Sequence, residues 1–166
     1  MKKDYKKLGG WLLGFLIFRA IGILVGFNLL NEAFGAHSMI ERASVYYGFG
    51  YKMTYYFLIL DAVIVIAGNI AIIVLMFKKN KVALGWIKKI LVSITMIDFA
   101  ISVGAMLYLS SLTSDSVFSL SDILSVIGVL VGLALWYQYL IKSRRVAVYF
   151  DENYVEEVET VEVSID

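Results

Sequence analysis

The composition of this 166-residue chain is far more apolar than that of a water-soluble domain, with 60% hydrophobic residues and a mean hydropathy of +0.80. Soluble domains are about 45–50% apolar, so a chain this short would expose too much apolar surface to water, and we expect it to fold in lipid. The net charge is +1, and the absence of cysteine excludes disulfides, thiolate nucleophiles and thiolate metal sites.

Four apolar stretches follow one another along the chain. We predict membrane spans over about 8–30, 55–77, 84–109 and 120–141. At ~1.5 Å per residue, a helix of about 20 residues matches a hydrocarbon core of ~30 Å, and it satisfies its own backbone hydrogen bonds. The pattern therefore predicts an all-α fold, a four-helix transmembrane bundle. Core helices of a soluble protein are the alternative, which four successive stretches of this length disfavour.

Lysine and arginine are concentrated in alternate segments. The segment before the first span, the link between the second and third, and the segment after the fourth carry Lys2, Lys3, Lys6, Lys7, Lys78, Lys79, Lys81, Lys88, Lys89, Lys142, Arg144 and Arg145. The other two links, 31–54 and 110–122, carry only Arg42 and Lys52. The positive-inside rule therefore predicts an N-in/C-in topology. The alternation with spans indicates binding to the anionic inner leaflet rather than to nucleic acid.

Three charged residues, Arg19, Asp61 and Asp98, lie deep within the apolar stretches, away from their ends. A charge at the bilayer centre costs at least ~2.5–3.5 kcal/mol on insertion scales, so such residues face the bundle interior and find partners. Helical rise from the cytoplasmic ends puts Arg19 about 16 Å deep, Asp98 about 12–21 Å and Asp61 about 24 Å. We predict a buried polar cluster of Arg19, Asp98 and Asn69, with Asp61 at its outer edge.

This predicted cluster has two interpretations. In the structural one, which we favour, Arg19 and Asp98 form an ion pair that sets the register of the first and third spans, because removing one partner would strand the other charge. In the functional one, the cluster is a path for a proton or ion, the usual role of intramembrane acids.

Glycines recur at four-residue steps in the first and fourth spans. The pairs are Gly10 and Gly14, Gly22 and Gly26, and Gly128 and Gly132. Such steps let helix backbones approach closely where lipid supplies no hydrophobic force. We predict that the first and fourth spans pack together through them, or that one of these faces meets another subunit.

The last sixteen residues differ in character from the rest. Residues 151–166 contain seven acidic residues and no basic residue. We divide the chain into a membrane domain, 1–150, and an acidic cytoplasmic tail, 151–166. The preferred interpretation is a disordered tail repelled by the anionic leaflet. The alternation of Val161, Val163 and Ile165 leaves open a short strand that pairs with a partner.

Groups that carry out catalysis are scarce. The single histidine, His37, lies in an outer link, where a solvated side chain is more common than a metal ligand. No nucleophile–base pair and no phosphate-binding glycine loop can be assembled. We therefore predict no enzyme activity, no metal and no cofactor.

Both ends of the membrane domain resemble a known bacterial family. Residues 8–12, Leu-Gly-Gly-Trp-Leu, resemble the opening of small four-span proteins of unknown function (domain of unknown function 2569), and residues 139–146 with Phe150 resemble its closing motif. The signature positions are Gly9, Gly10, Trp11, Tyr139, Ser143, Arg145 and Val146. The proline expected before Tyr139 is missing, and the tail is additional. The resemblance implies a multi-pass protein of the bacterial cytoplasmic (inner) membrane and transfers no catalytic residues.

The expected function is that of a non-enzymatic accessory, regulatory or protective subunit that binds a membrane protein partner or a second copy of itself. The alternative is a small channel or carrier subunit for an ion, proton or solute, which uses the Arg/Asp cluster. An intramembrane enzyme acting on lipid or cell-wall precursors is a third class, disfavoured by the scarcity of acid–base and nucleophilic groups.

Overall fold

A computed structural model describes residues 8–112 and 120–151 of the protein, and these residues are almost entirely helical. The helices are α1 (Trp11–Tyr47), α2 (Phe49–Phe77), α3 (Lys81–Leu112), α4 (Leu120–Lys142) and α5 (Arg144–Tyr149). No strand occurs among them. The predicted all-α class is confirmed. The N-terminal lysines, the middle of the 110–122 link and the acidic tail after Asp151 lie outside the described residues.

The long helices match a membrane in length and composition. Three of them, α1, α2 and α3, are long and apolar enough to cross a bilayer, and α4 contributes a shorter apolar segment, Val126–Lys142. Many large apolar side chains on these helices are exposed, among them Leu24, Val74 and Leu135. Such a surface is stable in lipid and not in water. The chain is therefore a multi-pass integral membrane protein.

The predicted outer link 31–54 is helical rather than a loop. Helix α1 continues through it to Tyr47, and α2 begins at Phe49, so the reversal occurs at Gly48, whose φ is 81°. With 37 residues, α1 is about 55 Å long, which exceeds a hydrocarbon core of ~30 Å. Its C-terminal third therefore extends beyond the membrane.

Consecutive helices run antiparallel and pack in chain order. On α1, a Cβ at Gly26 would lie 2.5 Å from Cγ1 of Ile66 on α2, and Tyr55 Oη donates a hydrogen bond to the backbone oxygen of Ala33 at 2.9 Å. The turn between α2 and α3 is short. There the Asn80 side chain accepts a 2.7 Å hydrogen bond from the Ala83 amide and caps α3.

The main apolar core lies at the end of the bundle where α5 folds back. Its buried members are Leu12, Phe15, Ile72, Met76, Ile87, Leu91, Ile94, Leu140, Val146, Tyr149 and Phe150. The turn before α3 and the first residue of α3 contact the same end. Lys79 Nζ lies 5.4 Å from the centre of the Tyr149 ring, and Lys81 Nζ lies 2.9 Å from Asp151 Oδ2. Burial raises the pKa of Tyr149. Helix α5 thus closes this end of the bundle.

Candidate functional site

The polar site begins where α1 crosses α2. Arg19 Nη1 donates a 3.3 Å hydrogen bond to Oδ1 of Asn69, and Asn69 Nδ2 donates to the Val65 oxygen at 2.8 Å. Gly22 makes this approach possible, because a Cβ there would lie 3.0 Å from Asn69 Nδ2. The guanidinium also lies over the Phe15 ring, 5.1 Å from its centre. Asn69 is almost completely buried, so α2 supplies Arg19 with a neutral partner.

The anticipated ion pair between Arg19 and Asp98 is not formed. Arg19 donates to Asn69, and no ion pair joins it to Asp98. The Nε atom of Arg19 is buried and has no hydrogen-bond partner. The reason is axial register: Asn69 lies eight residues from Asp61 along α2, about 12 Å at helical rise, and Asp98 lies opposite Asp61.

The two acids meet across α2 and α3. Gly50 faces Tyr108 and Gly68 faces Ile94, and this register places Asp61 opposite Asp98. Their side chains lie within hydrogen-bonding reach of each other. Asp61 is buried, with 8% of its surface exposed, and its Oδ1 has no hydrogen-bond donor. The predicted cluster is thus divided into an Arg19–Asn69 contact and an Asp61–Asp98 contact.

A cavity of about 240 Å³ connects these two contacts. It is lined by Arg19, Val65, Asn69, Leu91, Ile94, Thr95, Asp98, Val129, Gly132, Leu133 and Trp136. Helices α1, α2 and α3 supply its polar groups, and α4 supplies an apolar wall. A space of this size between a guanidinium and a carboxyl can hold several waters or a small polar solute.

The α4 wall was not anticipated, although a signal for it exists in the sequence. Val129, Gly132, Leu133 and Trp136 recur at helical spacing and so share one face of α4. Thr95, one turn from Asp98 on α3, donates its hydroxyl to the Leu91 oxygen at 2.9 Å. Its oxygen remains able to accept a hydrogen bond from an occupant of the cavity.

The glycines of the predicted pairs differ in whether they contact a neighbouring helix. Gly22 and Gly26 pack against α2, whereas a Cβ at Gly14, Gly128 or Gly132 would meet nothing within 4 Å. Helix α4 contacts α1 through aromatic rings instead: the Trp136 ring lies 5.1 Å from Phe15 and 5.7 Å from Phe18. Of the predicted glycine pairs, Gly22 and Gly26 thus pack closely against a neighbouring helix, and that helix is α2 rather than α4.

The two end motifs contact each other. A Cβ at Gly9 would lie 3.6 Å from Arg145 Nη2, and one at Gly10 would lie 2.6 Å from Nη1. Gly10 also has a φ of 57°, which disfavours any other residue. The ring centres of Trp11 and Tyr139 lie 6.4 and 6.1 Å, respectively, from that of Trp136. Val146 is fully buried. Ser143 lies at the start of α5. Residues distant in sequence thus form one structural unit.

A family model described as "Protein of unknown function (DUF2569)" matches residues 5–150. The chain is a member of DUF2569. No curated protein and no solved structure matches it. In this DUF2569 protein the match ends at Phe150, a residue of the buried core, so the acidic tail lies outside the family domain.

Groups suited to metal binding do not converge in the part of this DUF2569 protein that the structure describes. Three or more His, Cys, Asp or Glu side chains do not come together there. His37 lies on the extended part of α1, with its ring centre 6.0 Å from that of Tyr55. The intramembrane cavity is therefore the site whose chemistry most needs an explanation.

Proposed function

We propose that this DUF2569 protein is a non-enzymatic carrier or channel subunit that takes a small polar solute or ion into its intramembrane cavity. It would lie in the bacterial cytoplasmic membrane and cross it four times, with both termini inside. The observation that carries the proposal is the cavity between Arg19 and Asp98, in which the guanidinium has an amide rather than a carboxylate as its partner.

A purely structural role for the charges fits this arrangement less well. An ion pair that only set the register would bring the guanidinium and a carboxylate together, since separated charges lose the attraction that offsets their desolvation. Here Arg19 lies on the cavity wall with a buried Nε that lacks an acceptor. Because a guanidinium has five N–H donors, an occupant with oxygen acceptors could use those that remain.

Purified protein in sealed liposomes tests this function. We expect uptake of at least one member of a panel of small inorganic ions, organic anions and zwitterions, driven by its gradient or by a pH gradient. Arg19→Gln should reduce this uptake at least tenfold. The matched control is Arg42→Gln, because Arg42 is exposed on the same helix and bonds only to the Ser38 backbone oxygen among the described residues. No uptake of any panel member, or equal uptake by both variants, would contradict the proposal.

The proposed topology has its own test, which the absence of native cysteine makes clean. A membrane-impermeant thiol reagent should label His37→Cys in cells with a permeable outer layer, and should label Lys79→Cys only after the inner membrane is opened. In this orientation three basic segments would contact the anionic leaflet: the two ends of the membrane domain and the α2–α3 turn. Labelling of both variants in sealed cells would refute it.

A second candidate function is binding of a membrane protein partner or a second copy of this chain. One face of α4 favours it: Gly128 is exposed, a Cβ at that position would have no described atom within 4 Å, and Ile127 and Leu135 are exposed as well. An open glycine lets another helix approach closely. Gly128→Cys should crosslink in native membranes, whereas Val74→Cys, exposed on α2, should not; equal crosslinking of both would remove this candidate.

A further inference from the structure

We propose that Asp61 and Asp98 together form a proton-binding site that exchanges its proton with the cavity. This inference rests on the proposed function, because it names the proton as one of the species that the cavity takes up. The proton-binding site can nevertheless be tested without measuring transport.

The geometry of the α2–α3 pair brings the two carboxyls together. The contacts of Gly50 with Tyr108 and of Gly68 with Ile94 are made on either side of the acids, so the facing of Asp61 and Asp98 follows from the register of two long helices. Both acids lie well inside helices that are apolar and long enough to span a bilayer.

Among the residues that the structure describes, no cation forms an ion pair with either acid. From α1 the nearest charged groups are Arg19, bonded to Asn69 about two turns away along α2, and Glu32, which is exposed and accepts a hydrogen bond from Asn28. The wall from α4 contains no titratable side chain. The membrane stretches of α2 and α3 around the acids contain no lysine, arginine or histidine.

A proton held by one of the two acids removes the repulsion between them. A carboxylate can only accept hydrogen bonds, so two ionised carboxyls in contact would repel each other and leave Asp61 Oδ1 without a donor. A proton taken from water and held by one carboxyl makes that group a donor to the other. The pair then carries a single negative charge, which the two groups share.

The two acids differ in their access to the cavity. Asp98 lines it and is half-buried, whereas Asp61 is buried and does not line it. Water in the cavity would therefore exchange its proton with Asp98, and Asp61 would act as the buried partner that retains the proton. Arg19, on the same cavity wall, would respond to the charge on Asp98 through this shared space.

Infrared spectroscopy of the full chain in liposomes tests the proton site directly. We expect the carbonyl-stretch band of one protonated carboxyl per chain at neutral pH, with the downshift on exchange into D₂O that is typical of such groups. Asp98→Asn and Asp61→Asn should each abolish this band. Glu41→Gln, which removes a half-exposed acid from the end of α1, far along the chain from the pair, is the matched control and should leave it intact.

Loss of folding is controlled by a second variant. Asp98→Glu retains a carboxyl on α3 and should keep a protonated-carboxyl band at a shifted frequency. Absence of the band in the wild type at neutral pH, or its persistence in both asparagine variants, would overturn the inference. A band without any liposome uptake would retain the proton site and reject the proposed carrier function. Uptake without a band would retain the carrier function and reject the proton site.

Discussion

The two ends of the helical bundle are built differently. At the α5 end, Leu12, Phe15 and Val146 are fully buried, and the apolar core is continuous. Toward the other end the helices separate around the cavity of about 240 Å³, and an open apolar groove of about 450 Å³ lies between α2 and α3. The comparison indicates that stability is concentrated at one end, which leaves the middle free to contain polar groups and space.

Side-chain size explains this difference. The groove, which lies away from the α5 end, is bordered by small residues, among them Gly50, Ala100, Gly104 and Ala105. At the α5 end, aromatic and branched side chains from α1, α2 and α5 fill the space between helices. Small residues can bring helices together or leave a gap, and the outcome depends on what faces them.

Removal of a core ring should have the largest effect. Phe150→Ala should lower the free energy of unfolding in detergent by about 3–5 kcal/mol, because it leaves a cavity among buried side chains. Phe77→Ala makes the same chemical change at a position that is 61% exposed, and should change it by about 0.5 kcal/mol or less. Thermal or denaturant unfolding measures both. Similar losses in the two variants would mean that α5 does not close the bundle.

Removal of the amide that accepts a hydrogen bond from Arg19 should have the second-largest effect on the free energy of unfolding. Asn69→Ala leaves Arg19 without its acceptor in a buried setting and should cost about 2–3 kcal/mol. Asn28→Ala removes an exposed hydrogen bond to Glu32 on α1 and should cost about 0.5 kcal/mol or less. The same unfolding measurement applies. If both losses were small, the middle of the bundle would contribute less than the Arg19–Asn69 contact implies.

A smaller effect is expected where α1 approaches α2. Gly26→Ala places a Cβ 2.5 Å from the Ile66 side chain and should destabilise by about 1–2 kcal/mol through overpacking. Gly14→Ala, on the same helix, meets nothing within 4 Å and should be neutral or stabilise by about 0.5–1 kcal/mol, as expected from helix propensity. Opposite signs are the diagnostic result, and equal effects would argue against close α1–α2 packing at Gly26.

The smallest effect concerns the extension beyond the membrane, where Lys52 Nζ lies 2.6 Å from Glu41 Oε1. The hydrogen bond from Lys52 lowers the pKa of Glu41, and the same bond raises the pKa of Lys52. The ionised Glu41 therefore stabilises the extension above its ordinary pKa of 4.5, and this stabilisation is lost as the pH falls through its lowered pKa. The stabilising contribution from Lys52 is present below its ordinary pKa of 10.5 and is lost as the pH rises through its raised pKa.

Hydrogen exchange around Gly48 checks this pH dependence. At neutral pH the backbone amides at the α1–α2 reversal should exchange slightly faster in Glu41→Gln than in the wild type. The difference should disappear in acid, where the wild-type carboxyl is protonated. Glu32→Gln, which changes an exposed acid elsewhere on α1, should show no such difference at the reversal. A difference that persists in acid would exclude the ion pair as its cause.

The helices and the membrane class were predictable because both follow from local or short-range properties. Runs of about 20 apolar residues require intrahelical hydrogen bonds in lipid, whatever lies beside them. The family was predictable from two short motifs. The contact of Gly9 and Gly10 with Arg145 was not, because nothing in either motif specifies that α5 folds back.

The candidate site was only partly predictable. Charge and depth identified Arg19, Asp61, Asn69 and Asp98 as the polar residues of the membrane interior. Depth measured from predicted span ends carries an error of several residues, so it paired Arg19 with Asp98 and placed Asp61 apart. In the folded chain, the short turn at Lys78–Asn80 sets α2 against α3 so that Asp61 meets Asp98 instead.

The amino-acid sequence by itself determined that this chain is helical, that it resides in a membrane, and which polar residues must be shielded from lipid, since these follow from transfer free energies and backbone hydrogen bonding. The tertiary structure decided which of those residues meet. Rotation and register of neighbouring helices depend on side-chain packing summed over many contacts, such as Gly22 against Asn69 and Gly68 against Ile94. A shift of one turn would have given Arg19 another partner.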